Sequence, residues 1–189
     1  MKIQFIERIQ RIRAAIQSIA DLECEITHAA DVLARGFRSG SRVFACGNGG
    51  SAAEAMHLAT ELSGRYRSNR NPLPAMSLTA DGTAITCIGN DFGWDQIFSR
   101  QLAAHAKAGD ILLAISTSGN SPNVIEALTM ARVIGVTTIG LLGKRGGAAK
   151  ALCDIPIVIG GDDTGAIQEA HLVVIHILCE GLEPESNDL

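Results

Sequence analysis

Aromatic side chains are scarce in this chain of 189 residues: they make up 4% of it, with one Trp and one Tyr, and charged residues reach only 19%. Sixteen basic against twenty acidic side chains leave a net charge of −4. With so few stacking rings and no cationic excess, coating of nucleic acid or of anionic lipid is excluded as the working mode. No apolar run reaches the roughly 18 residues of a membrane span. The N-terminal stretch MKIQFIERIQRIRAAIQ carries Lys2, Glu7, Arg8, Arg11 and Arg13, so it offers no uninterrupted apolar segment of a secretion signal. The five cysteines, Cys24, Cys46, Cys87, Cys153 and Cys179, form no CxxC pair, which suits buried thiols in a reducing cytoplasm. The absence of a GK[ST] triplet disfavours nucleotide hydrolysis. A cytoplasmic protein of one globular domain is expected, with a core of Ala, Ile, Leu and Val and with 20 glycines to be placed.

Phe5, Ile9, Ile12, Ile16 and Ile19 recur with 4-3-4-3 spacing, and Leu22, Ile26, Ala29 and Leu33 repeat it after Asp21, a candidate N-cap. Two amphipathic helices therefore open the chain. They either cover their own domain or form a seam between subunits. From Arg42 onward, short β-rich runs alternate with Gly/Ser turns and helical stretches: 43–46, 75–78, 111–115, 137–142 and 155–159. That alternation predicts an α/β fold with a five-stranded parallel sheet covered by helices on both faces, and ligands beyond the strands' carboxyl ends. The run from Thr164 to Leu182 reads as a closing helix.

Two turns suit a phosphate. Gly47-Asn48-Gly49-Gly50-Ser51-Ala52-Ala53 follows the first strand, where missing side chains let backbone N–H groups approach an anion at a helix mouth. It also matches GxGxxA, but the nearest acidic candidate for a dinucleotide ribose, Asp81, lies 34 residues after Gly47 instead of about 20. The third strand ends in Ser116-Thr117-Ser118-Gly119-Asn120-Ser121-Pro122-Asn123, where Ser121 can cap a helix starting at Pro122. Hydroxyls plus a helix dipole bind a phosphate monoester without Lys or Arg. The alternative for both turns is simple strand-helix punctuation.

His57 and Glu61, at i and i+4, project from one helix face, either as a surface ion pair or as chemistry. The closing helix adds Gln168, Glu169, His171 and His176. On a regular helix His171 and His176 stand about 140° apart and should not share a site, while Gln168 and His176 are separated by roughly 12 Å along the axis. One metal touching both would need a helix break or ligands from different subunits. His171 reads as a packed or partly exposed histidine, and His176, among Val174, Ile175, Ile177 and Leu178, as a buried titratable group. Asn90 and Asp91, in the turn-prone stretch Gly89 to Trp94, either bind sugar hydroxyls or form an Asx turn.

Four segments, GNGGSAAEAMHLATELSGRYR, IGNDFGWDQIFSRQ, GDILLAISTSGNSPNVIEA and IQEAHLVVIHILCE, resemble the phosphoheptose isomerases of the sugar isomerase (SIS) domain family, over residues near 20 to 182. The STSGNS loop marks the broader phosphosugar-binding domain, and the spacing of His57, Glu61, Gln168 and His176 is the more specific part. The resemblance implies a flavodoxin-like three-layer αβα sandwich. It divides the single domain 1–189 into an N-terminal helical oligomerisation segment, 1–40, and a phosphosugar-binding core, 41–189. It further implies a homotetramer with active sites between subunits, converting D-sedoheptulose 7-phosphate to D-glycero-D-manno-heptose 7-phosphate. That reaction is the first step of bacterial nucleotide-activated heptose biosynthesis, as for lipopolysaccharide.

By motif, Asn48, Gly49, Gly50, Ser51, Glu61, Asn90, Asp91, Ser116, Thr117, Ser118, Ser121 and Gln168 would bind substrate. His57, Glu61, Gln168 and His176 match the family's zinc positions, one Zn2+ per subunit, with Glu61 and His176 also assigned to proton transfer. Two departures stand out. Ala166 occupies the place of a frequent Arg, which Arg65 or Arg67 would have to replace, and Glu54 stands where Asp is usual. The same family includes a catalytically inactive tetramer that binds the bacterial replication initiator. The presence of both Glu61 and His176 argues against that alternative, and the lack of a DNA-binding segment against a phosphosugar-sensing regulator.

Overall fold

A computed structural model describes residues 4–184. Five parallel strands, β1 (Val43–Cys46), β2 (Ala75–Ser77), β3 (Ile111–Ser116), β4 (Thr137–Gly143) and β5 (Ile155–Ile159), lie in the order β2-β1-β3-β4-β5. The register pairs Val43 with both Ala75 and Ile111, and Leu113 with Ile139. Strand side chains alternate between faces, so one strand feeds two cores. Val43, Ala45, Ile111, Leu113, Ile115, Ile139 and Leu141 point to one layer, and Phe44, Cys46, Leu112, Ala114 and Leu142 to the other. Burial on both faces is why these runs carry no polar alternation.

The first layer holds α1 (Phe5–Gln17), α2 (Glu23–Arg38), α3 (Gly50–Ser63) and α7 (Thr164–Glu180). The second layer is built chiefly by α5 (Ser99–His105) and α6 (Pro122–Ile134). The expected three-layer αβα sandwich is therefore observed. Short α4 (Gly82–Phe92) lies beyond β2 in sequence and has no buried residue. Asp81 accepts from the N–H groups of Thr83 and Ala84 at 2.8 and 3.1 Å. It caps α4, which leaves it no part in a dinucleotide site.

The two opening helices pack onto α7 and β5, with Ala15, Ile19, Ile26, Ala29 and Leu33 buried, so they do cover their own domain. α1 nonetheless leaves Phe5 and Ile6 each 65% exposed, with Ile9 and Ile16 also in solvent. Asp21 is no N-cap: it sits inside a 3-10 turn, Ser18–Leu22, that joins α1 to α2 without a side-chain cap. The continuous apolar periodicity across residues 19–22 explains this, because burying Ile19 keeps the chain helical through the junction. Two cysteines also differ from expectation, Cys24 and Cys87 being exposed. Among the described residues no helix is long and apolar enough to cross a membrane.

Candidate active site

β1 and β3 are neighbours in the sheet, but the chain leaves them toward opposite layers, β1 into α3 and β3 into α6. This is the topological switch point of an open parallel sheet, where a crevice forms beyond the carboxyl ends. Both predicted phosphate turns open there. They are tied by a reciprocal amide pair, Asn48 Nδ2 to Asn123 Oδ1 at 2.8 Å and Asn123 Nδ2 to Asn48 Oδ1 at 2.9 Å. Asn123, 1% exposed, was not singled out by sequence, because a buried amide pair gives no local signal.

Ser121 occupies the N-cap position of α6 with Pro122 behind it, as expected, but its hydroxyl makes no capping bond. Ser121 Oγ and Ser118 Oγ instead lie 3.3 and 3.5 Å from Ser116 Oγ, which accepts from the Gly119 N–H at 3.0 Å. Three hydroxyls thus converge on one spot before the first turn of α6, where a helix leaves N–H groups unpaired. Gly119 makes the turn possible: it holds φ +63°, and a Cβ there would lie 1.9 Å from Gly146 O. On the opposite wall α3 begins at Gly50, with no side-chain cap, and Thr79 Oγ1 donates to Ala52 O at 3.2 Å, fixing that first turn from β2.

α3 and α7 run side by side in the same direction. A Cβ on Gly50 would lie 2.2 Å from Gln168 Nε2, one pair up Glu54 Oε2 is 3.6 Å from His171 Nδ1, and further along His57 and Glu61 meet His176. His57 Nε2 is 3.2 Å from His176 Nε2 and 3.3 Å from Glu61 Oε1. The ligand atoms of all three lie within 4.8 Å of one another. Two ring nitrogens and a carboxylate aimed at one point form a group that could hold a metal ion. In a tetrahedral site with bonds of about 2.0–2.1 Å, donor atoms stand about 3.3 Å apart, the spacing observed for both contacts of His57.

Of the two histidine expectations, packing of His171 holds and burial of His176 does not. His171 is fully buried, with neither ring nitrogen hydrogen-bonded, whereas His176 is half-buried. Counting apolar neighbours along α7 misplaced His176, whose ring meets the polar side chains of His57 and Glu61 on α3. α7 is unbroken from Thr164 to Glu180, so Gln168 stays about two turns from His176, at the cradle end. Asn90 and Asp91 are not in a loop: they form the exposed last turn of α4, and the chain reverses at Gly93 with φ +92°. Asn90 Nδ2 donates to Asp91 Oδ1 at 2.7 Å, and among the described residues no side-chain hydrogen bond joins either to the cradle. Arg67 pairs with Glu180, while the Arg8 guanidinium lies over Gly165, the neighbour of Ala166, and bonds Asp163 at 2.7 Å. Tyr66, overlooked in the sequence, stacks on His176 with ring centroids 5.6 Å apart and planes 25° apart.

Comparison with known proteins gives concordant likenesses. A family model described as "SIS domain" matches residues 4–143. The chain is 52% identical over 168 residues to the phosphoheptose isomerase of Campylobacter concisus (strain 13826), covering 89% of this chain and 87% of that relative. Among solved structures, the phosphoheptose isomerase of Neisseria gonorrhoeae superposes with a TM-score of 0.87 at 38% identity, over 94% of this chain and 95% of that one. That of Francisella tularensis gives 0.89 at 34% identity, over 95% and 98%.

Proposed function

We propose that this chain, which belongs to the SIS domain family and within it to the phosphoheptose isomerases, converts D-sedoheptulose 7-phosphate to D-glycero-D-manno-heptose 7-phosphate. The step opens nucleotide-activated heptose synthesis. The observation that carries the reading is a distance. Along α3, Gly50 at the cradle and His57 in the cluster are separated by about 10 Å, seven residues at about 1.5 Å each. An open seven-carbon chain with bonds of about 1.5 Å and a terminal phosphate ester spans about the same length. A phosphate held at Asn48 to Ser51 and Ser116 to Ser121 therefore delivers the opposite end of the sugar to His57, Glu61 and His176.

Aldose-ketose interconversion moves a proton between adjacent carbons through an enediol, so it needs a base beside the carbons and a donor beside the oxygens. Glu61 takes the proton at C1 of the ketose. His176, within 4.8 Å, serves the carbonyl oxygen and the reverse direction. A divalent zinc suits the His57, Glu61 and His176 donor set, and when bound it would polarise the sugar oxygens. A carboxylate has two oxygens, so binding through one leaves the other for a proton. Gln168 faces the cradle in its own chain, so its amide contacts substrate there and would reach the metal only across a subunit boundary.

Homotetramer assembly, with segment 1–40 as an oligomerisation element, is supported by apolar surface that one chain leaves open. It includes Phe5, Ile6 and Ile9 of α1, Met56 beside His57, Phe92 at the end of α4 and Trp94 just after it. Asn90 and Asp91 enter a site only if a second copy brings α4 to it. The test is incubation of the purified protein with sedoheptulose 7-phosphate, with and without chelator, beside Glu61→Gln. Turnover that E61Q abolishes while phosphosugar binding persists supports the reading. Absence of product refutes it, and activity untouched by exhaustive chelation removes zinc from it.

A further inference from the structure

Residues 64–74 link α3 to β2 and form a strap across the ends of both helices that carry the cluster. Arg70 is nearly enclosed, its side chain 7% exposed. One of its nitrogens donates to Leu62 O at 3.0 Å and to Asn71 O at 3.1 Å, and the other to Glu61 O at 2.8 Å. It thereby closes the last carbonyls of α3 at the residue that bears the reacting carboxylate. Glu183, just past α7, balances it: Oε1 is 3.5 Å from Arg70 Nε, and Oε2 accepts from the Ser68 N–H at 2.7 Å. A second ion pair, Arg67 with Glu180, ties the strap to the last turn of α7. Next to the Arg67 anchor stands Tyr66, its ring stacked on His176 and 5.1 Å from the Arg67 guanidinium.

The ring has no part in the proposed proton transfers, yet it bears on a group that does. His57 meets His176 edge to edge through Nε2, which leaves the imidazole free to swing about its side-chain bonds unless a face is also held. We infer that the strap is a positioning device, in which Tyr66 fixes the plane of the His176 imidazole and the Arg70–Glu183 pair fixes Tyr66 against α3 and α7. An imidazole aimed this way keeps Nε2 at the shared point of the cluster. One turned about its side chain removes Nε2 from Glu61 and His57 together. Tyr66, Arg70 and Glu183 are positioning residues on this account. It rests on the proposed isomerase reading only for the role of His176, not for the stacking itself.

Tyr66→Phe keeps the plate and loses the hydroxyl, whereas Tyr66→Ala loses the plate. Outer partners of a site residue are commonly worth about 10–100-fold in activity or metal affinity. Y66A is accordingly expected to lower kcat by at least about tenfold while KM stays within about threefold, because the phosphate cradle lies about two turns away. Y66F should match the parent in both. Glu183→Gln, which loosens the strap and keeps the ring, should lower kcat in the same direction by less. An independent readout comes from the full-length protein labelled at histidine: stacking shifts the His176 ring resonance, and Y66A should abolish that shift while Y66F preserves it. Should the parent show no turnover while the resonance responds in this way, the isomerase reading fails and the positioning role stands. An unmoved His176 resonance in Y66A, or equal damage from Y66F, overturns the positioning role whatever the activity.

Discussion

Gly50 and Gly119 both line the cradle, and replacing each by Ala should give opposite outcomes for a reason visible in what the new methyl group meets. At Gly119 the neighbour is backbone, Gly146 O at 1.9 Å, and the residue is held at φ +63°. A left-handed conformation costs a non-glycine residue about 1–2 kcal/mol and overpacking typically about 1–3 kcal/mol, so G119A should lose roughly 3 kcal/mol. For a chain of this length that is a fall of roughly 10 °C in melting temperature. At Gly50 the neighbour is the far end of a flexible side chain, Gln168 Nε2 at 2.2 Å, Cδ at 2.8 Å and Oε1 at 2.9 Å. The amide can swing away, and Ala in a helix regains about 0.5–1 kcal/mol over Gly. G50A should therefore melt within about 3 °C of the parent, a shift of about 1 kcal/mol or less. Its kcat/KM should nonetheless fall by at least about tenfold, because the methyl group and the displaced amide both intrude on the cradle. Paired thermal melts and steady-state kinetics with sedoheptulose 7-phosphate read the contrast. A G50A protein with unchanged kcat/KM would mean that Gln168 and the start of α3 do not border the substrate. A stable G119A would mean that the contact with Gly146 is not a tight one.

Burial pushes the thiols of Cys46, Cys153 and Cys179 up to about 12, so at neutral pH they stay protonated, and peptide mapping after alkylation of the native protein should leave them unlabelled until the chain unfolds. Native alkylation of any of the three would contradict their placement. Burial tends to raise the carboxyl of Glu183, but the hydrogen bonds from Ser68 and the charge of Arg70 outweigh it and hold the group below its ordinary 4.5. The folded state thus binds fewer protons there than the unfolded one, and the stabilisation is complete above the ordinary carboxylate range and lost as pH falls through the depressed value. Urea unfolding of E183Q against the parent should show a gap that is full near pH 7 and closes in acid; a gap that widens in acid would reverse the assignment. His57→Ala should weaken zinc binding in equilibrium dialysis at least about tenfold, since it removes one of three converging donors. Undiminished binding would place the metal elsewhere.

Much of the architecture was present in local pattern. The five strands were recovered to within a residue or two at their ends, and the parallel sheet followed from near-continuous apolar runs such as Ile111 to Ile115, which only burial on both faces explains. The Gly47 and Ser116 turns and the i, i+4 pair His57 and Glu61 were legible because backbone chemistry and helix periodicity are properties of neighbouring residues. Which histidine meets that pair was not legible in local pattern, and only the family resemblance singled out His176. His171 and His176 sit on one helix with similar apolar neighbours, and the choice depends on where α3 lies against α7, a consequence of sheet order. The amide pair of Asn48 with Asn123, 75 residues apart, and the strap that carries Tyr66 to His176 are tertiary facts of the same kind. The sequence by itself determined which segments could bind an anion or carry a proton, since those capacities reside in residue type and spacing. Only the tertiary structure decided which of them share a site, because that depends on distances between segments remote in the chain, which packing of the two cores sets.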